Sequence, residues 1–84
     1  MKLLKFQADW CGPCKMMSSV IKNLGAKVTI PIEEINIDEN MEEARKWKVT
    51  SVPTLILVDE NGEIKRHMGA LREPQFLEFI KNDR

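Results

Sequence analysis

Trp10-Cys11-Gly12-Pro13-Cys14-Lys15 spaces two thiols three residues apart, and the flanking sequence puts them where a strand gives way to a helix. Before the pair, residues 3–8 form a short, mostly apolar run that reads as a strand, with Lys5 as its interruption. After it, Met17, Val20, Ile21 and Leu24 recur at i, i+3, i+4 and i+7 with polar residues between them. With Gly25 as a stop, this spacing predicts an amphipathic helix of about 13 residues starting at Gly12.

A cysteine at a helix N-terminus meets unpaired backbone N–H groups and the positive end of the dipole, both of which favour an anion. Cys11 is therefore expected to be the more acidic thiol. Cys14 lies one turn further in, faces back towards Cys11 and is expected to sit closer to the interior, where it can resolve a mixed disulfide. The loop between them is too short to constrain much of the unfolded chain, so the pair is a poor structural brace. A structural zinc site needs about four N or S ligands. The chain has two cysteines and one histidine, His67, far along the sequence. Pro13, in the first helical turn where its missing N–H costs little, stiffens the loop, and Gly12 leaves room for a substrate backbone.

The remaining chain alternates strand and helix. Residues 28–37 are rich in Ile and Val and read as a strand, with Pro31 pushing the first half towards a sheet edge. Asp38-Glu39-Asn40 offers a cap and acidic charge for a short helix through Met41, Ala44 and Trp47 that ends near Val49. Residues 55–58 form an apolar strand, Asp59-Glu60-Asn61-Gly62 a turn, and residues 63–68 a partly polar return strand. A last helix opens around Glu73 and Pro74 and puts Phe76, Leu77 and Ile80 on one face. This order needs a right-handed crossover between the first two strands and a hairpin between the last two, which predicts an α/β fold: a four-stranded mixed sheet with helices on both faces.

Eighty-four residues make one domain, 1–84. Thirteen basic residues balance thirteen acidic ones, so no global field favours nucleic acid or an anionic membrane. No stretch approaches a spanning helix, and Lys2 and Lys5 interrupt any secretory apolar segment, so a cytoplasmic protein is expected.

Trp-Cys-Gly-Pro-Cys-Lys at 10–15, Asn36-Ile37-Asp38-Glu39-Asn40, Val52-Pro53-Thr54 and Gly69-Ala70-Leu71 together resemble the thioredoxin family, in order and at nearly its spacing. The resemblance covers almost the whole chain. Only ten residues precede Cys11, so the family's first strand and helix are expected to be missing, as in some phage-encoded and archaeal glutaredoxin-like forms. It implies a minimal thioredoxin fold with sheet order 2-1-3-4 and three helices. It also implies a cis bond before Pro53, and a shallow groove of Trp10, Gly12, Pro13, Val52, Pro53, Gly69 and Ala70 in which Val52 pairs with an extended substrate.

Two positions depart from the family, which usually carries a buried Asp six residues before the first cysteine and a Lys on the neighbouring strand. This chain has Lys5 at the first place and Glu34 at the second. A lone buried charge costs several kcal/mol, whereas a hydrogen-bonded pair keeps both charges, so a Lys5–Glu34 pair under Cys14 is expected, with either group handling the Cys14 proton. The alternative is that both heads reach solvent.

The implied activity is reduction of protein disulfides through Cys11 and Cys14 by a monomer that holds no cofactor or metal and is recharged by an NADPH-dependent thioredoxin reductase. Two other readings remain: a glutathione-coupled glutaredoxin-like reductase, and a non-enzymatic interaction subunit. Gly-Pro between the cysteines leans away from the glutaredoxin. Trp47 reads as core or half-buried cover, His67 as a solvated strand-edge residue, Met17 as core, and Met16 and Lys15 as neighbours of the motif.

Overall fold

Leu3, Leu4, Lys5 and Phe6 are all buried, which makes β1 (Lys2–Gln7) a central strand covered on both faces. The computed structural model describes residues 1–81. After β1 come α1 (Gly12–Leu24), a 3-10 turn (Gly25–Lys27), β2 (Ile32–Asn36), α2 (Met41–Lys46), β3 (Thr54–Asp59), β4 (Gly62–Met68) and α3 (Glu73–Ile80). The strands lie in the order β2-β1-β3-β4. β1 runs parallel to β2, with Lys5 opposite Glu34, and antiparallel to β3, with Lys5 opposite Leu55. The β3–β4 hairpin carries an irregularity at Leu57/Val58. The expected α/β architecture and strand order are those observed.

Alternation along β1 and β3 divides the core. Leu3, Leu55 and Leu57 face α1 and α3, where Met17, Leu24, Phe76 and Ile80 complete one cluster. Leu4, Phe6, Ile35, Ile56 and Val58 form the opposite cluster, covered by Trp47, Val49 and Val52. Arg66 ties the second face together: its guanidinium holds Glu63 and donates to the Trp47 carbonyl at 2.9 Å. Trp47 is half-buried, as expected, and its indole donates to Glu43 at 3.1 Å.

Two elements differ from expectation. The second strand begins at Ile32 rather than at 28, because the chain leaving α1 first makes the 3-10 turn, with Val28 N–H closing on the Gly25 carbonyl at 3.0 Å. Pro31 stays outside the ladder for want of an N–H, although its carbonyl accepts from Leu3 N at 2.9 Å. The second helix ends at Lys46, short of Val49. Lys48 takes a left-handed φ of 57°, and the N–H groups of Lys48 and Val49 return to Arg45 and Ala44 at 3.0 and 2.8 Å, a Schellman ending built without glycine. Asn40 stands at the N-cap position of α2 without capping it, since its Nδ2 donates instead to the Asn36 carbonyl at 3.0 Å. Among the described residues, no helix is long and apolar enough to cross a membrane.

Candidate active site

Cys11 is itself the N-cap of α1. Its backbone is extended (φ −91°, ψ 109°) and its sulfur accepts the Cys14 N–H at 3.1 Å, which occupies one of the free donors at the helix start. Gly12 and Pro13 form the first helical turn, where the ring of Pro13 removes no needed donor. The Cα atoms of Cys11 and Cys14 are 5.2 Å apart and the sulfurs are joined as a disulfide. Both cysteines are buried, to 4% and 2% exposure, so depth does not separate them as expected; the hydrogen bond from the helix start falls on Cys11 alone. Ala8, Val52 and Ile37 pack around the pair.

The other residues expected to form the docking groove lie before and at the start of α1, in the loop before β3 and in the loop after β4. The Val52–Pro53 bond is cis and Pro53 is fully buried. Thr54 Oγ1 donates to the Ser51 carbonyl at 2.7 Å, holding the turn before it. Gly69 N–H donates to the Pro53 carbonyl at 2.8 Å from a backbone with φ 104°, a region side chains rarely tolerate. Ala70 is half-buried against the α1/α3 core, and the next residue, Leu71, gives its N–H to Met17 Sδ at 3.3 Å. Trp10 is 69% exposed beside Cys11, and Gly12 and Pro13 are exposed. Met16 and Met68 are also exposed large apolar side chains.

Sequence reasoning missed the polar chain that holds Trp10. Its indole donates to Asp38 Oδ2 at 2.9 Å, Asp38 N–H donates to Asn36 Oδ1 at 2.8 Å, and Asn36 Nδ2 donates to Asp9 Oδ1 at 3.3 Å. Asn36 and Asp38 read in the sequence as a strand end, a helix cap and part of the family resemblance, and nothing local points from them to Trp10.

Lys5 and Glu34 do meet, but unequally. Lys5 is wholly buried, Glu34 is half exposed, and Nζ lies 3.8 Å from Oε2. The close partners of the Lys5 ammonium are Ser18 Oγ at 2.8 Å and Gln7 Oε1. Burial pulls the Lys5 pKa below the usual lysine value, and the Glu34 charge works against that fall. Gln7, Ala8, Asp9, Cys14, Lys15 and Ser18 line a cavity of about 270 Å³ beside the second cysteine. Among the described residues, no three His, Cys, Asp or Glu side chains cluster to hold a metal ion. His67 lies far from the cysteine pair in sequence, edge-on to Phe79 with ring centres 6.2 Å apart.

The sequence pattern of the thioredoxin family matches residues 1–82. Thioredoxin of Chlamydia pneumoniae is 42% identical over 81 residues, covering 95% of this chain and 78% of its own. Thioredoxin of Haemophilus influenzae is 36% identical over 80 residues, 93% of this chain and 75% of its own. Among solved structures, a mutant thioredoxin from Halobacterium salinarum superposes with a TM-score of 0.86 at 33% identity, covering 94% of this chain and 70% of its own. Thioredoxin 1 from Thermosipho africanus superposes at 0.81 and 32%, covering 95% of this chain and 90% of its own. With this likeness running through fold and cysteine pair alike, the chain belongs to the thioredoxin family and is a protein-disulfide oxidoreductase working through Cys11 and Cys14.

Proposed function

We propose that Cys11 is the nucleophile and Cys14 the resolving thiol of a single domain, 1–84, that reduces disulfides in other proteins. The observation that carries this assignment is the Cys14 N–H donated to Cys11 Sγ at the start of α1. Such a bond strengthens when the sulfur is an anion, so it favours the Cys11 thiolate over the thiol. The thiolate attacks one sulfur of a substrate disulfide, the other leaves as a thiolate, and a mixed disulfide forms. Cys14 then attacks Cys11, the bond from Cys11 to the substrate breaks, and the substrate departs reduced. Two electrons pass from the protein to its substrate, and the Cys11–Cys14 disulfide remains.

Trp10, Gly12, Pro13, Val52, Pro53, Gly69 and Ala70 form the docking groove in this reading, with Val52 backbone groups taking an extended substrate as an added strand. Lys5 and Glu34 form the charged pair on the Cys14 side. The family suggests disulfide-bearing proteins as substrates and a thioredoxin reductase as electron donor; NADPH as its source of electrons, a monomeric state and a cytoplasmic site complete the proposal. Insulin-disulfide reduction by dithiothreitol tests it. The wild type is expected to accelerate precipitation of the insulin chains and Cys11→Ser to abolish the acceleration. Equal rates for the two proteins would refute the assignment.

A further inference from the structure

A lysine with no exposed surface is costly, and this fold keeps one beside its reactive pair. Lys5 projects from β1 to the face covered by α1, where its ammonium donates hydrogen bonds to Ser18 Oγ at 2.8 Å and to Oε1 of Gln7, two residues along the same strand face. Ser18 lies four residues after Cys14 on α1, so the two side chains stand on one face of the helix, their Cβ atoms about 6 Å apart. Cys14, Ser18 and Gln7 also line the same 270 Å³ cavity. The ammonium is thus held by two residues, Ser18 and Gln7, of the cavity that Cys14 also lines. The other charges around it are Asp9 from the loop after β1, Lys15 on α1 and Glu34 on β2, the last half exposed and 3.8 Å from Nζ.

We infer that Ser18 and Gln7 are positioning residues that hold the Lys5 ammonium where it stabilises Cys14 as a thiolate, and that Glu34 is a solvent-facing counter-ion and not the base for that thiol. The inference rests on Cys14 being the resolving thiol. In the resolving step the Cys14 S–H bond gives its proton to water in the cavity and the sulfur keeps the electron pair. That thiolate displaces the substrate sulfur from Cys11, so the Cys11–Cys14 bond forms as the mixed disulfide breaks. A positive charge held in a poorly hydrated place lowers the energy of the sulfur anion and needs no carboxylate to accept the proton.

The test is the titration of Cys14 alone, followed by thiolate absorbance in a Cys11→Ser background. Adding Lys5→Met, which keeps the length and removes the charge, is expected to lower the acid dissociation constant of Cys14 about tenfold. Lys5→Arg is expected to restore most of it, Ser18→Ala to lower it about threefold, and Glu34→Gln to leave it equal or higher. An unchanged constant in Lys5→Met, or, if that variant does not fold, in Ser18→Ala, would overturn the inference. So would a fall in Glu34→Gln larger than the one in Ser18→Ala. Insulin reduction by the wild type, run in parallel, separates this outcome from failure of the proposed function: a wild type without reductase activity removes the resolving role, whereas an active wild type with an indifferent Cys14 removes only the role of Lys5.

Discussion

The indole N–H of Trp10 donates to Asp38 Oδ2 at 2.9 Å and fastens the exposed ring beside Cys11 to the loop that enters α2. A side chain 69% exposed has little packing to orient it, so this bond and the Asn36–Asp9 contact behind Asp38 set where the ring stands. Substrate docking then orders one rotamer-rich side chain fewer, a saving of about 0.5–1.5 kcal/mol. Asp38→Ala is expected to lower kcat/KM for insulin disulfides about threefold to tenfold with little change in melting temperature, and Asp38→Asn, which keeps an acceptor, to recover most of the loss. Steady-state kinetics on the two variants check this.

Gly69 and Gly12 have equal space around them and opposite conformational demands. A Cβ at either meets nothing within 4 Å, so only the backbone decides. Gly69 sits at φ 104° and bonds Pro53, whereas Gly12 opens a helix. Gly69→Ala is expected to destabilise the fold by about 1–3 kcal/mol. Gly12→Ala is expected to be neutral or stabilising by up to about 1 kcal/mol while slowing reduction of bulky disulfide substrates. Urea unfolding followed by tryptophan fluorescence measures both.

Lys5 also gives the fold a pH signature. Its pKa is lower in the folded chain than the ordinary 10.5, first because burial disfavours the ammonium, with Glu34 opposing. The unfolded chain therefore binds more protons at this site in the interval below 10.5, and the Lys5 contribution to stability rises as pH climbs through it. Relative to Lys5→Met, the oxidised wild type is expected to gain stability from neutral pH towards that limit. The chain has no tyrosine, so no phenol titrates alongside it. Urea unfolding of both proteins across the alkaline range tests the sign; a wild-type disadvantage that grows with pH would contradict it.

Much of this site was legible because its signals are local. The cysteine spacing, the 3.6-residue recurrence from Met17 to Leu24 and the Asp59–Gly62 turn each depend on neighbours in sequence, and all three fall where the pattern puts them. What failed needed tertiary information. Val28-Thr29-Ile30 has strand composition, but a 3-10 turn and a proline without an N–H keep it out of the ladder. Asn40 looks like a cap until Asn36 offers its carbonyl. Lys5 reads as an interruption of an apolar strand, and the pairing with Glu34 came from the resemblance. Nothing in the sequence marks Ser18 as its partner, because a serine between Met17 and Val20 looks like any residue of a solvated helix face.

The start of α1 is held to keep the Cys11 sulfur an anion at neutral pH, and all the proposed chemistry depends on it. The rate of iodoacetamide alkylation of Cys11 in the reduced protein, measured against pH, tests it most directly. The expected result is a half-maximal rate well below the ~8.5 of a free cysteine, reached while Cys14 is still unmodified. A midpoint at or above that value, or alkylation of both cysteines in step, would contradict it.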